Sequence, residues 1–174
     1  MSAAVVIFAC GNPSRGDDAL GPLLLERLRP WLQTEGLADA VELVEDFQLQ
    51  IEHALDLEGR RLALFIDAGH GTPAPFSYYR AEPDDKPGHS THAIAPGAVL
   101  AVYRRINGSA PPPAYVLCVR GESFELGEGL SAAAGESLEA AWARLQAFCR
   151  EPDRAASWLS PGAVSGGRVV SRTA

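Results

Sequence analysis

The chain has 174 residues, of which 47% are hydrophobic and 21% charged, and its formal net charge is −7. This length suits one domain, and this composition can supply a substantial buried core. The negative charge disfavours nucleic acid and anionic membranes as partners, because both reward a basic surface, and it favours a partner with a basic face. No apolar run approaches the ~20 residues that span a bilayer. Because the amino terminus lacks a basic region followed by a cleavage site, we expect a cytoplasmic protein.

The three cysteines are far apart in the sequence and form no C-x-x-C pair. This spacing argues against a disulfide framework, a zinc ribbon and a thioredoxin-like motif. Cys118 lies in an apolar run and is predicted to pack in the core. Cys10 lies beside a glycine-rich loop, where it could act as a nucleophile, but a small buried residue at a strand end is the favoured interpretation.

Predicted strands and helices alternate along the chain. Short apolar runs indicate buried strands, and apolar residues at helical spacing indicate helices. In chain order the predicted elements are a strand at 5–10, a helix at 18–31, a strand at 41–45, a helix at 50–57, strands at 62–66 and 76–80, a helix from about 91, a strand at 115–119 and a helix at 132–148. Residues 1–150 form the predicted domain, and 151–174 are predicted to be an irregular, mobile tail in which Trp158 and Leu159 could dock locally.

The alternation predicts an α/β fold. We expect a single three-layer domain with about five mostly parallel strands and helices on both faces, similar to phosphorylase- and hydrolase-like folds. Sites in such sheets gather at the carboxyl ends of the strands. Asp17 and Asp18 follow the first strand, and Asp67 ends the third. His89 and His92 follow the fourth strand. If the first, third and fourth strands are neighbours, these side chains converge on one crevice.

The loop between the first strand and the first helix reads Gly-Asn-Pro-Ser-Arg-Gly-Asp-Asp-Ala-Leu-Gly over residues 11–21. A glycine-rich turn at this position usually presents backbone N–H groups to a phosphate. Two adjacent carboxylates stand where that phosphate would lie, so the loop is predicted to attract a metal ion or another cation. Pro22 fits only the first turn of a helix, which places the acids at the N-terminal end. Asn12 and Gly11 are expected to shape the turn.

The carboxylates have two interpretations each. Asp17 either caps the first helix or is a metal ligand with Asp18 as the cap, and the residues alone do not decide between these roles. Asp67 either caps a nearby loop or belongs to a functional site, and convergence with Asp18 favours the site.

Four histidines compete for the role of an imidazole ligand. His92 is the first candidate and His89 its rival. His70 is a second rival and could instead orient a ligand. His53 lies in the second predicted helix and is interpreted as structural. Two carboxylates with one imidazole form a familiar ligand set for zinc- or nickel-class ions and leave room for water or substrate.

The loop at residues 11–21 resembles the signature of the hydrogenase maturation endopeptidases. The segments Ile66-Asp67-Ala68 and Ser90-Thr91-His92 match two further positions of that family in order and spacing, and residues 119–131 are similar to the stretch before its last helix. The resemblance covers about residues 4–150. Asp18 stands where the family often has glutamate, and Ala9 where it usually has glycine. The form of the loop looks most like the branch that serves NAD-reducing, bidirectional soluble hydrogenases.

The resemblance implies a five-stranded α/β endopeptidase. Such an enzyme removes the C-terminal extension of a [NiFe]-hydrogenase large-subunit precursor after nickel insertion, and the nickel belongs to the substrate. The resemblance implies that Asp18, Asp67 and His92 are the catalytic residues and contact that nickel, with no tightly bound organic cofactor. The metal would polarise the scissile carbonyl or activate water. Asp17 could shuttle a proton, and Asn12 and His70 could support the site.

Further expectations and two alternatives complete the hypothesis. We expect a monomer whose partner is the large-subunit precursor. A non-catalytic alternative is a module that delivers metal or binds the large subunit without cutting it. The other alternative is an unrelated nucleotide-binding α/β protein that uses the Gly11–Gly16 loop as a phosphate cradle, although the Asp17–Asp18 pair opposes it by charge.

Overall fold

The computed structural model describes residues 2–86 and 94–159. The strands are β1 Val5–Cys10, β2 Val41–Asp46, β3 Leu62–His70, β4 Phe76–Ala81 and β5 Ala114–Gly121. The α-helices are α1 Leu20–Thr34, α2 Pro96–Asn107 and α3 Ala132–Arg150. Short 3-10 helices span Gly16–Ala19, Ile51–Leu57 and Pro152–Trp158. In this part of the chain no helix is long and apolar enough to cross a membrane.

One mixed sheet organises these elements in the order β2-β1-β3-β5-β4. The pairs β1–β2, β1–β3 and β3–β5 are parallel, and β4 is antiparallel to β5. Helices α1 and α3 pack on one face, whereas α2 and the Ile51–Leu57 turn pack on the other. The predicted three-layer α/β fold with five mostly parallel strands is therefore confirmed.

The central strands are buried on both faces, which explains their unbroken apolar runs. Every residue of β1 is buried, and β1 lies between β2 and β3. The rings of Phe8 and Phe65 stack across β1 and β3 with their centroids 4.8 Å apart. This packing holds the carboxyl ends of the two strands side by side.

Several element boundaries differ from the sequence prediction. Helix α1 continues to Thr34 with Pro30 inside it, and Gly16–Ala19 forms a separate 3-10 turn before it. Residues 51–57 form a 3-10 helix in place of an α-helix. Strand β3 does not end at Asp67 but continues to His70, because β5 still pairs with it from Asp67↔Cys118 to His70↔Gly121.

The condition that the first, third and fourth strands be neighbours is met by β1 and β3 but not by β4. Strand β5 lies between β3 and β4, and β4 runs antiparallel. Ala81, the last residue of β4, pairs with Ala114, the first residue of β5. The chain therefore leaves β4 at the amino-end edge of the parallel strands, opposite to the edge where β1 ends. His89 and His92, which follow β4 in the sequence, lie outside the described residues.

Residues 152–158 differ from the irregular segment predicted from residue 151, since they form a 3-10 helix. The Tyr78 hydroxyl donates a hydrogen bond of 2.8 Å to the carbonyl oxygen of Ala155, which is buried. Trp158 and Leu159 pack against the core, as the sequence suggested. Residues 160–174 of the predicted tail lie outside the described residues.

Candidate functional site

The loop that follows β1 is shaped by glycine and by its own side chains. Gly11 and Gly16 have φ values of 155° and 51°, which favour glycine. A Cβ atom at Gly11 would lie 2.0 Å from the carbonyl oxygen of Asp18, so only glycine fits there. The Asn12 side-chain oxygen accepts the N–H of Ser14 at 2.9 Å. Asn12 therefore shapes the turn as predicted.

Backbone N–H groups in this loop are already used within the protein. Gly11, Gly16 and Asp17 donate to the carbonyl oxygens of Asp46, Glu128 and Ser123. Within the loop, the N–H groups of residues 12, 14, 15 and 18 also have acceptors, and residue 13 is proline. No N–H from residue 11 to residue 18 is left for a phosphate. The nucleotide-cradle alternative is contradicted by this geometry.

Asp18 lies at the carboxyl end of β1. Its side chain is buried, with a relative exposure of 6% for the residue, and Oδ2 accepts the N–H of Asn12 at 2.7 Å. The hydrogen bond reaches back across the loop and fixes the direction of the carboxylate. Its N–H also donates to the carbonyl oxygen of Arg15. The loop therefore holds Asp18 in place through both main chain and side chain.

Asp67 lies at the same edge of the sheet. The last β1–β3 pair is Ala9↔Ile66, so Asp67 is one residue beyond the end of that pairing. Because β1 and β3 are parallel neighbours, Asp67 and Asp18 share one edge, and the Gly16–Ala19 turn contacts β3. Asp67 is half-buried, and its Oδ1 accepts the N–H of Ala68 at 2.8 Å.

Asp67 also shares a face of the sheet with Cys118 and Tyr79. The Cα atoms of Asp67 and Cys118 are register partners, and Cys118 packs with the cluster that includes Tyr79. Burial raises the pKa of Tyr79 to about 12, and electrostatic interactions with Cys118 and Asp67 add to this rise. The phenol therefore remains a neutral hydrogen-bond donor at neutral pH.

Asp17 has a different role. Its carboxylate is fully buried and accepts four hydrogen bonds, from the N–H groups of Glu122, Ser123 and Ser131 and from the Ser131 hydroxyl, at 2.7–3.0 Å. Burial acts to raise the pKa of Asp17, but these hydrogen bonds outweigh it and lower the pKa below the ordinary value. A carboxylate held in this way is a poor proton shuttle.

The predicted cap of the first helix by Asp17 is not formed. Neither the Gly16–Ala19 turn nor α1 has a side-chain cap. Ser131 is the N-cap of α3, and Asp17 binds both its N–H and its hydroxyl. Sequence reasoning did not identify this partner. The serine directly before the alanine-rich helix was a signal for the N-cap, but not for its link to Asp17.

The structure describes two of the four histidines, His53 and His70. The buried imidazole of His53 accepts the N–H of Gln50 at Nδ1, and its Nε2 lies 3.4 Å from Asp46, which supports a structural role. His70 is exposed and packs edge-on against Phe124 with ring centroids 6.0 Å apart. His92 lies outside the described residues. Among residues 2–86 and 94–159 no group of three His, Cys, Asp or Glu side chains could hold a metal ion.

The cysteines at this edge are packed into the sheet. Cys10 is buried at the end of β1. Cys118 is half-buried, with its Sγ atom 3.3 Å from the Thr72 hydroxyl. These positions agree with the interpretation of both residues as packing residues of the sheet.

Comparison with known proteins identifies the fold. No family model and no curated protein matches the chain. The hydrogenase maturating endopeptidase HybD from E. coli is 24% identical, with a TM-score of 0.66 over 85% of this chain and 93% of that chain. The [NiFe] hydrogenase maturation protease HycI from Thermococcus kodakarensis KOD1 is also 24% identical, with a TM-score of 0.63 over 86% of this chain and 93% of that chain.

A third solved structure agrees with these two. It is the solution structure of an endopeptidase from E. coli, with 24% identity and a TM-score of 0.61 over 85% of this chain and 93% of that chain. The alignments include most of the described residues and nearly all of each neighbour. The chain therefore has the α/β fold found in hydrogenase maturation proteases.

Proposed function

We propose that this protein is an endopeptidase that removes the C-terminal extension of a [NiFe]-hydrogenase large-subunit precursor after nickel insertion. One observation carries the proposal: in a fold found in maturation proteases, Asp18 in the turn that follows β1 and Asp67 on the adjacent parallel strand β3 lie at one edge of the sheet. Parallel α/β sheets bind their ligands at this edge.

The proposed site consists of Asp18, Asp67 and His92, and the nickel that they contact belongs to the precursor. Two carboxylates with an imidazole suit a nickel-class ion. The Asn12 N–H orients Asp18 for this task. The substrate's nickel supplies Lewis-acid polarisation of the scissile carbonyl or activation of water. No tightly bound organic cofactor is part of the proposal.

The finer features of the hypothesis remain proposals, and the first of them follows from the sequence resemblance. We infer that the processed enzyme is an NAD-reducing, bidirectional soluble hydrogenase, because the loop at residues 11–21 looks most like that branch. We also infer that the protein acts as a monomer in the cytoplasm. Native mass spectrometry of the protein alone and together with its precursor tests the assembly state.

The decisive experiment is intact-mass spectrometry of a nickel-loaded large-subunit precursor after incubation with the protein, beside a nickel-free precursor. We expect loss of a C-terminal peptide only from the loaded sample. Asp18→Asn and Asp67→Asn should abolish the loss. Asp39→Asn is the matched control, because Asp39 is exposed and distant in sequence from both site residues.

Each other result has a definite meaning. Cleavage of both precursors would contradict the requirement for nickel. Cleavage of the loaded precursor by Asp67→Asn at the wild-type rate would contradict the three-residue site. An uncut precursor in a stable complex with the protein would replace the protease with the alternative of a binding or metal-delivery module.

A further inference from the structure

An open groove lies beside the candidate site but does not include it. Its volume is about 550 Å³, and α1, the end of β2 and the segment 128–130 form its walls. Neither Asp18 nor Asp67 lines it, whereas Pro13 and Gly16 of the loop that positions Asp18 do. The groove therefore adjoins the loop of the candidate site and runs along α1. Its volume falls in the ~300–1,000 Å³ range of ligand sites.

Part of the groove is apolar. Pro22 and Leu23 line it from α1, and Leu130 lines it from the segment before α3. Leu23 is 37% exposed, whereas the other leucines of α1 are buried in the core. An extended peptide could cover this surface and remove it from water.

The polar part of the groove carries an excess of negative charge. Glu26, Glu45 and Glu128 line it together with one cation, Arg29. In the described part of the chain, neither Glu26 nor Glu45 forms an ion pair, while Glu128 accepts the Ser123 hydroxyl at 2.9 Å. An excess of carboxylates attracts a cationic group and repels an anionic one.

We propose that this acidic groove binds an extended segment of the polypeptide substrate that carries at least one lysine or arginine. The apolar side chains of the segment contact Leu23 and Leu130, and its cation lies against Glu26 and Glu45. A hydrated metal ion would gain nothing from the apolar wall, so the combination favours a peptide. The assignment of this peptide to the precursor rests on the function proposed above.

A binding experiment tests the groove without requiring catalysis. The probe is a capped hexapeptide with one arginine and two leucines, titrated into ¹⁵N-labelled protein and followed by amide chemical shifts. The control peptide has citrulline in place of arginine, which keeps the shape and removes the charge. We expect shifts at Leu23, Glu26 and Gly129 and about five-fold weaker binding of the citrulline peptide. Equal affinity for the two peptides, or shifts confined to other surfaces, would overturn the proposal.

Variants of the groove test whether its carboxylates cause the preference for the arginine peptide. The double substitution Glu26→Gln with Glu45→Gln should weaken the arginine peptide about five-fold and leave the citrulline peptide unchanged. The double substitution Glu52→Gln with Glu136→Gln is the matched control, because it removes the same number of charges and both residues are exposed and do not line the groove. An equal loss of affinity in this control would show a general effect of net charge and overturn the assignment to the groove.

Cleavage assays then separate this inference from the proposed function. With a nickel-loaded precursor, the double variant should show a KM raised about five-fold. An unchanged KM would refute the groove and leave the protease proposal standing. Charge-dependent binding of the hexapeptide in the groove, with no precursor cut by the wild-type protein, would keep the groove and refute the protease.

Discussion

The carboxylate of Asp17 accepts both the N–H and the hydroxyl of Ser131 at 2.7 Å. The same hydroxyl oxygen accepts the N–H of Ala134, so it caps α3 while it donates to Asp17. Because these residues are 114 positions apart, the contact joins the loop after β1 to the start of the last α-helix. Asp17 thereby ties the loop that carries its neighbour Asp18 to residues 122–131.

This contact predicts that Asp17→Asn strongly destabilises the fold. The amide nitrogen of asparagine would face N–H donors in a buried space, and the charge-assisted hydrogen bonds would be lost. We expect the free energy of unfolding to fall by about 3 kcal/mol. Urea denaturation at pH 7 measures the change. The comparison variant Ser131→Ala should cost about 1 kcal/mol, as is usual for a lost N-cap. Equal stability of Asp17→Asn and wild type would contradict the structural role.

The same carboxylate predicts a pH dependence of stability. The pKa of Asp17 is lower in the folded protein than its ordinary value of 3.8. Its stabilising contribution is therefore complete above that ordinary value and is lost as the pH falls through the folded pKa. We expect the stability difference between wild type and Asp17→Asn to shrink as the pH falls below 3.8. Urea midpoints of both proteins between neutral and acidic pH measure this difference, and a constant gap would contradict the assignment.

A steric prediction concerns Gly16. Its φ is +51°, and a Cβ atom there would lie 2.5 Å from the carbonyl oxygen of Ser123. Gly36 has a similar φ of +72°, but nothing lies within 4 Å of its Cβ position. Gly36→Ala should therefore cost about 1 kcal/mol from backbone strain alone.

Gly16→Ala should cost at least about 2 kcal/mol more than Gly36→Ala, because the clash adds to the strain. It should also reduce cleavage of the precursor, because the loop that positions Asp18 must move. Thermal denaturation of the two variants separates strain from steric clash. Equal losses in both variants would show that the close approach to Ser123 has no energetic consequence.

The last prediction concerns the segment 152–158. Tyr78→Phe removes the hydrogen bond to the Ala155 carbonyl oxygen and should cost about 1 kcal/mol. Limited trypsin digestion should cleave after Arg154 faster, because the 3-10 helix at 152–158 loses its hydrogen bond to Tyr78. Tyr103→Phe on α2, which lies on the other face of the sheet, is the control. Identical digestion rates of Tyr78→Phe and wild type would contradict the anchoring role.

Local pattern was sufficient to predict the class of fold. The apolar run at residues 5–10 predicted β1 with its observed limits, because both faces of this strand are covered and every position needs an apolar side chain. The alternation of strands and helices predicted the parallel core of the sheet. Because Asp18 follows the first strand and Asp67 lies at the end of the apolar run of the third, the sequence also predicted that both lie at the carboxyl edge of the sheet.

Strand order and strand ends depended on tertiary pairing. Nothing local shows that β5 inserts between β3 and β4, so the sequence left the position of β4 as a condition that the structure does not meet. Asp67 looked like a strand end because the apolar run stops there, but β5 supplies pairing as far as His70. Hydrogen bonds between strands are made by the backbone, and the side-chain pattern therefore does not report where they stop.

The roles of the two adjacent aspartates show the same division. Sequence alone determined that two carboxylates follow β1, and the resemblance selected Asp18 for the site. Only the tertiary structure decided what Asp17 binds, because its donors are 105 to 114 residues away. The local sequence shows which polar side chains a loop carries. Long-range packing decides which of these side chains have their hydrogen bonds made within the protein and which remain available to bind a substrate.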